Sequence, residues 1–321
     1  MKTTRFLLLF LFFMSVTSIA ASPLVVTSNA DSGPGTLRAA LHHAKDGDHI
    51  VFALPSGSEI ITIESELYIR GKSLIIDGSN KEPGSGFNVT IQVQDPGRSP
   101  WRVFRIDPGF RRLVTISNLL LRGGDVSSLE TESDGGVILL CKDGMLTVSR
   151  CDIRNGRARN GGGIYAGGRF NRGVIALRDC EITQNEAVIC EGEACGGGLY
   201  VSFGTAIIHS SRIYENVSQS HSGGFYIFNA TGRISNSSIY GNRAPSGSAS
   251  EGSFCGPSLT IVNSFITNMS SETIAERYRQ RIHVPSIARH ASPPGKFPFS
   301  RSKAVAFPPT LAHLLMTSIT P

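Results

Sequence analysis

Cys180-Glu181-Ile182-Thr183-Gln184-Asn185, Ser211-Arg212-Ile213-Tyr214-Glu215-Asn216 and Ser237-Ser238-Ile239-Tyr240-Gly241-Asn242 are copies of one phrase, each closing on Ile-x-x-Asn. Shortened copies run Cys151-Asp152-Ile153-Arg154-Asn155 before them and Ser264-Phe265-Ile266-Thr267-Asn268 after. With the shared apolar residue as a ruler, Leu121, Ile153, Ile182, Ile213, Ile239 and Ile266 are 32, 29, 31, 26 and 27 residues apart. A repeat of roughly 20–50 residues is the signature of a solenoid or an array.

Inside a repeat, apolar residues alternate over only a few positions, as in Val174-Ile175-Ala176-Leu177 or Thr260-Ile261-Val262. Very short strands joined by tight turns predict an all-β helical coil whose successive turns pair in parallel. Each inward residue then meets its counterpart in the next coil at roughly 4.8 Å, so Ile153, Ile182, Ile213, Ile239 and Ile266 are expected to form an apolar ladder. Asn155, Asn185, Asn216, Asn242 and Asn268 are expected to take the left-handed conformation of a sharp turn and to bond to the asparagines above and below. Glycine blocks such as Gly161-Gly162-Gly163 and Gly196-Gly197-Gly198 separate the copies.

Outward from the repeats, Met1 to Arg5 is basic, Phe6 to Met14 is almost continuously apolar, and small residues lead to Ala21. This pattern predicts a secretory signal peptide over residues 1–21. The apolar run is short of the ~20 residues that span a bilayer. Leu37, Ala40, Leu41 and Ala44 stand at helical spacing behind Thr36, so Thr36–Ala44 is expected to be a short capping helix over the first coil. Short β-branched runs around Ile50, Ile61, Ile69 and Ile75 follow, and Phe87–Val93 reads as a strand within a protruding loop. The expected β-helix with its cap covers 22–270. Residues 271–321 lose the repeat and gather Pro285, Pro293, Pro294 and Pro298 among scattered arginines, predicting a disordered basic tail.

The net charge of +6 divides into +2 in the signal, +5 in the tail and −1 across 23–270. The repeat body is not basic, and nothing in its composition predicts nucleic-acid binding. Of the six cysteines, Cys190 and Cys195 bracket Glu-Gly-Glu-Ala and could close a disulfide, whereas Cys151 and Cys180 hold one place in consecutive repeats and should stack as buried thiols. No Cys-x-x-Cys or nearby histidine pair completes a metal site.

Gly162-Gly163-Ile164-Tyr165, Gly197-Gly198-Leu199-Tyr200 and Gly223-Gly224-Phe225-Tyr226, alternating with Ile-x-x-Asn, resemble the repeats of polymorphic outer-membrane proteins. More broadly, the chain is similar to right-handed parallel β-helix proteins of the pectin-lyase-like superfamily over about residues 24–270. The resemblance implies a single-stranded right-handed parallel β-helix. It also implies either a surface-displayed, non-catalytic module or a polysaccharide lyase or glycoside hydrolase acting on acidic polysaccharide, with calcium the cofactor of a lyase.

No catalytic constellation is legible. Asp77-Gly78, Asp134-Gly135 and Asp143-Gly144 suit turns. Tyr165, Tyr200 and Tyr226, each two residues after a glycine pair, either form an exposed aromatic row for sugar or protein or stack on one another across coils. The leading expectation is an exported, monomeric adhesin or binding module without a cofactor, its partner a polysaccharide or a neighbouring surface protein. The enzyme alternative would be marked by charged side chains clustered on one lateral face beside residues 79–100.

Overall fold

The computed structural model describes residues 22–79, 89–141, 143–167, 173–189, 194–245, 250–270 and 282–283. Alternation alone accounts for most of it. In Val174–Arg178, Ile175 and Leu177 point inward and are buried while Val174, Ala176 and Arg178 face out. Strands this short cannot bury a face alone, so each is completed by the same position one coil away.

The result is a parallel β-solenoid of about eight turns, consistent with a right-handed parallel β-helix. The first sheet stacks ten strands from Leu24–Val26 to Ile282–His283. The second stacks eight from Ile60–Ile63 to Phe265–Ile266, and the third eight from Leu67–Arg70 to Met269–Ser270. A three-stranded strip, Arg157–Ala158, Glu186–Ala187 and Val217–Ser218, lines the turn between second and third sheets. The described residues all lie within one compact unit, which ends at Pro285.

Helix α1 (Leu37–His43) caps the stack as expected. Thr36 Oγ1 accepts the N–H of Ala39, and Leu37 and Leu41 are buried against the end strands of the first and third sheets. Lys72 Nζ donates to the helix's terminal carbonyls, Leu41 O at 2.9 Å and Ala44 O at 2.6 Å, meeting the negative end of the helix dipole. Phe87–Val93 departs from expectation: residues 80–88 lie outside the described set, and Val89–Val93 is an ordinary second-sheet strand with Val89, Ile91 and Val93 fully buried. It is a coil of the core, and the apolar alternation that defines it is the reason.

The isoleucine ladder is present. Leu121, Ile153, Ile182, Ile213, Ile239 and Ile266 pair in register down the second sheet; Ile266, in the last coil, is half-buried and the others are fully buried. Each full burial contributes about 1.5–3 kcal/mol of transfer free energy.

The asparagines divide. Asn216 Nδ2 donates to Asn242 Oδ1 at 2.9 Å and Asn185 Nδ2 to Asn216 Oδ1 at 2.9 Å, and the backbone N–H groups of Asn185 and Asn216 join the same oxygens. These residues are buried, and none of them is left-handed. Positive φ falls one position earlier, at Gln184 (56°), Glu215 (53°) and Gly241 (67°), with Asn155 (61°) in that same place. Asn155 and Asn268 close phrases one residue short, so neither reaches the ladder: Gly156 N–H bonds to Asn185 Oδ1 instead, and Asn268 is exposed, donating to Ser250 Oγ. The glycine blocks and the ladder are one device. A Cβ on Gly163, Gly198 or Gly224 would lie within 3.0 Å of the amide nitrogen of Asn185, Asn216 or Asn242 respectively.

A second ladder turns the corner between first and second sheets. Cys180 N–H donates to Ser211 Oγ, Ser211 N–H to Ser237 Oγ and Ser237 N–H to Ser264 Oγ, all at 3.1–3.2 Å. Cys151 and Cys180 stand in the same column as free, buried thiols, each facing the carbonyl two residues back as the serines do. Burial pushes the Cys180 thiol up to about 11 and Cys151 well above its ordinary value.

Candidate functional site

The outer face of the third sheet carries one continuous column. Tyr68, Arg105, Leu139, Tyr165, Tyr200, Tyr226 and Ser253 pair in register from coil to coil. At roughly 4.8 Å per coil, Arg105 and Tyr226 stand about 19 Å apart. Beside this column run Ser202, Phe228 and Cys255.

Tyr165 and Tyr200 stack with centroids 5.2 Å apart and planes within 4°, and Tyr200 and Tyr226 do so at 5.5 Å and 6°. Of the two arrangements open to these tyrosines, the structure takes stacking across coils. Their faces cover one another, so the row offers edges and hydroxyls to a ligand. Tyr165 and Tyr200 are half-buried and Tyr226 is buried. Desolvation raises the pKa of both Tyr165 and Tyr200, keeping them neutral donors. Their edges open on a concavity of about 520 Å³ that Asp134, Arg159, Asn160, Ser202, Phe203 and Phe228 also line. Asp134 is fixed there by Arg159 Nη2 at 3.2 Å and Asn160 Nδ2 at 3.0 Å.

Nearer the first coils lies a second concavity, of about 470 Å³, bounded by Glu66, Trp101, Arg102, Arg105 and Glu132. Arg105 rises from its strand between inward Phe104 and Ile106, with its guanidinium 5.0 Å from the Tyr68 ring centroid. Its Nη2 bonds to Glu132 Oε1 at 2.6 Å. Arg102 is 1% exposed, and desolvation lowers its pKa against the opposing pull of Glu66 and Glu132. Trp101 donates its indole N–H to Ile63 O at 3.3 Å.

Sequence reasoning missed this cluster. The signal available was a pair of arginines inside the apolar run Trp101-Arg-Val-Phe-Arg-Ile106, but Glu66 and Glu132 are 66 residues apart and only coil stacking joins them. On the second sheet, charged side chains pair with each other: Arg212 with Glu181, and Arg154 with Asp152. Cys190 lies outside the described residues, so its pairing with Cys195 is not described; Cys195 is buried. Among the described residues no three His, Cys, Asp or Glu side chains converge to hold a metal ion, and no helix is long and apolar enough to cross a membrane. Compared with known proteins, the chain matches no family model and no curated protein sequence.

Proposed function

We propose that the chain is an exported, non-catalytic binding protein of the cell surface, whose ligand is an extended polysaccharide laid along the outer face of the third sheet. What supports this reading is the unbroken column from Tyr68 to Ser253 with one concavity beside Tyr165 and Tyr200 and another beside Arg105, a length and polarity suited to a chain rather than a small molecule. The hydroxyls of Tyr165, Tyr200 and Ser202, with Asp134 and Asn160, supply convergent donors and acceptors. The leader over residues 1–21 and the likeness to β-helix surface proteins belong to the same reading.

A second reading has its own support. Glu66, Glu132, Arg102 and Arg105 cluster on a lateral face beside Pro100, at the end of residues 79–100, the arrangement that favours a polysaccharide-degrading enzyme. One experiment separates the two. The purified protein is incubated with acidic and neutral polysaccharides, with and without calcium, while unsaturated products and new reducing ends are followed. Binding without turnover, weakened in Asp134→Ala and Tyr200→Phe, supports the binding reading. Turnover overturns it.

A further inference from the structure

Three guanidinium nitrogens at the second concavity, Arg102 Nε, Arg102 Nη1 and Arg105 Nε, are buried without a hydrogen bond. The Nη2 groups of both arginines are engaged on one residue: Arg102 Nη2 meets Glu132 O at 2.5 Å and Arg105 Nη2 meets Glu132 Oε1 at 2.6 Å. Glu132 sits at φ 60°, a left-handed turn that aims both its carbonyl and its carboxylate at the arginines. A second carboxylate, Glu66, faces both guanidinium groups. Its Oε2 lies 3.7 Å from Arg102 Nε and its Oε1 3.6 Å from Arg105 Nη1. Both are ion-pair distances and too long for hydrogen bonds.

Glu66 is hydrogen-bonded through its main chain, not its carboxylate. Arg38 of α1 donates to Glu66 O at 3.1 Å and Ser65 O at 2.8 Å, while the Glu66 side chain is 31% exposed and has an open path to solvent. A buried guanidinium with idle N–H groups is a costly arrangement, and a carboxylate approaching closer than Glu66 does would accept from Arg102 Nε and Arg105 Nη1 at once.

We propose that Arg102 and Arg105 form a subsite for a carboxylate group of the ligand, and that Glu66 is the internal carboxylate this group displaces. The exchange replaces one negative charge by another, so the buried arginines stay neutralised throughout. No covalent step is involved. The proposal rests on the third-sheet groove as the binding surface, and it narrows the ligand to an acidic saccharide.

The test begins with acetate alone. In Glu66→Ala the internal competitor is gone, and acetate should raise the melting temperature saturably, with an apparent affinity at least tenfold tighter than for the unaltered protein. Glu66→Gln serves the same purpose if the alanine variant does not fold. Adding Arg105→Gln to either variant should abolish the response. An acetate response absent from the Glu66 variants, or equal in them and the unaltered protein, overturns the subsite. A uronate oligosaccharide is then compared with its carboxyl-reduced counterpart. Equal binding of the two overturns the carboxylate preference while leaving the groove intact. Capture of acetate with no binding of either oligosaccharide upholds the Arg102–Arg105 subsite and removes the groove reading instead.

Discussion

Asn242 donates twice to a single oxygen of Glu251, from Nδ2 at 2.6 Å and from its backbone N–H at 3.2 Å. Glu251 thereby ends a directional chain of amides that starts at Gly156 N–H and passes through Asn185, Asn216 and Asn242. Its other oxygen accepts from Thr267 Oγ1 at 2.7 Å, and the residue is 3% exposed. Where the phrase falls short at Asn268, a glutamate reaches in to stand for the missing asparagine. Glu251→Ala leaves buried donors unpaired and should lower stability by about 2–3 kcal/mol, whereas Glu251→Gln keeps the acceptor and should lose less than half of that, read from urea unfolding midpoints.

The same logic ranks the asparagines. Asn216→Ala removes a fully buried side chain that bridges two coils and should lower stability by about 2–3 kcal/mol. Asn268→Ala, at an exposed residue, should fall within about 0.5 kcal/mol of the parent. Equal losses at the two sites in thermal unfolding would show that the ladder carries no special weight.

Glycine substitutions should separate crowding from conformation. A Cβ on Gly198 meets Gly224 O at 2.7 Å and Asn216 Nδ2 at 3.0 Å, so Gly198→Ala should lower stability by about 1–3 kcal/mol. Gly241, at φ 67°, has nothing within 4 Å of such an atom. Gly241→Asn should therefore change stability by less than about 1 kcal/mol, since asparagine tolerates the left-handed region.

Alkaline pH should weaken the fold through Cys180. Burial raises its pKa from 9.0 to about 11, so the neutral thiol is favoured in the folded state. The stability this contributes is complete below the unfolded value and is lost as pH rises through about 11. Cys180→Ser places in the column the hydroxyl already present at Ser211 and Ser237, and at neutral pH it should alter stability by less than about 1 kcal/mol. Between pH 8 and 11 the variant should lose less stability than the parent, measured by urea midpoints at each pH. Parallel slopes would remove Cys180 from the account.

Sequence by itself determined the architecture, because a solenoid is a local rule applied repeatedly. The spacing of Ile153, Ile182, Ile213 and Ile239 sets the coil, alternation sets which face is buried, and Thr36 with Leu37 and Leu41 marks the cap. Only the tertiary structure decided what a one-residue difference in phrase length does. It places Asn155 in a left-handed turn, Asn185, Asn216 and Asn242 in a buried ladder, and Glu251 at its end. Only stacking, too, brings Glu66, Arg102, Arg105 and Glu132 to one lateral concavity and turns three separated tyrosines face to face. The physical reason is that side chains in this fold find their partners one coil away, at a register that depends on the length of every intervening loop. Residue patterns carry the inward face, which any apolar neighbour can satisfy, but they do not carry the pairing of individual polar groups across coils.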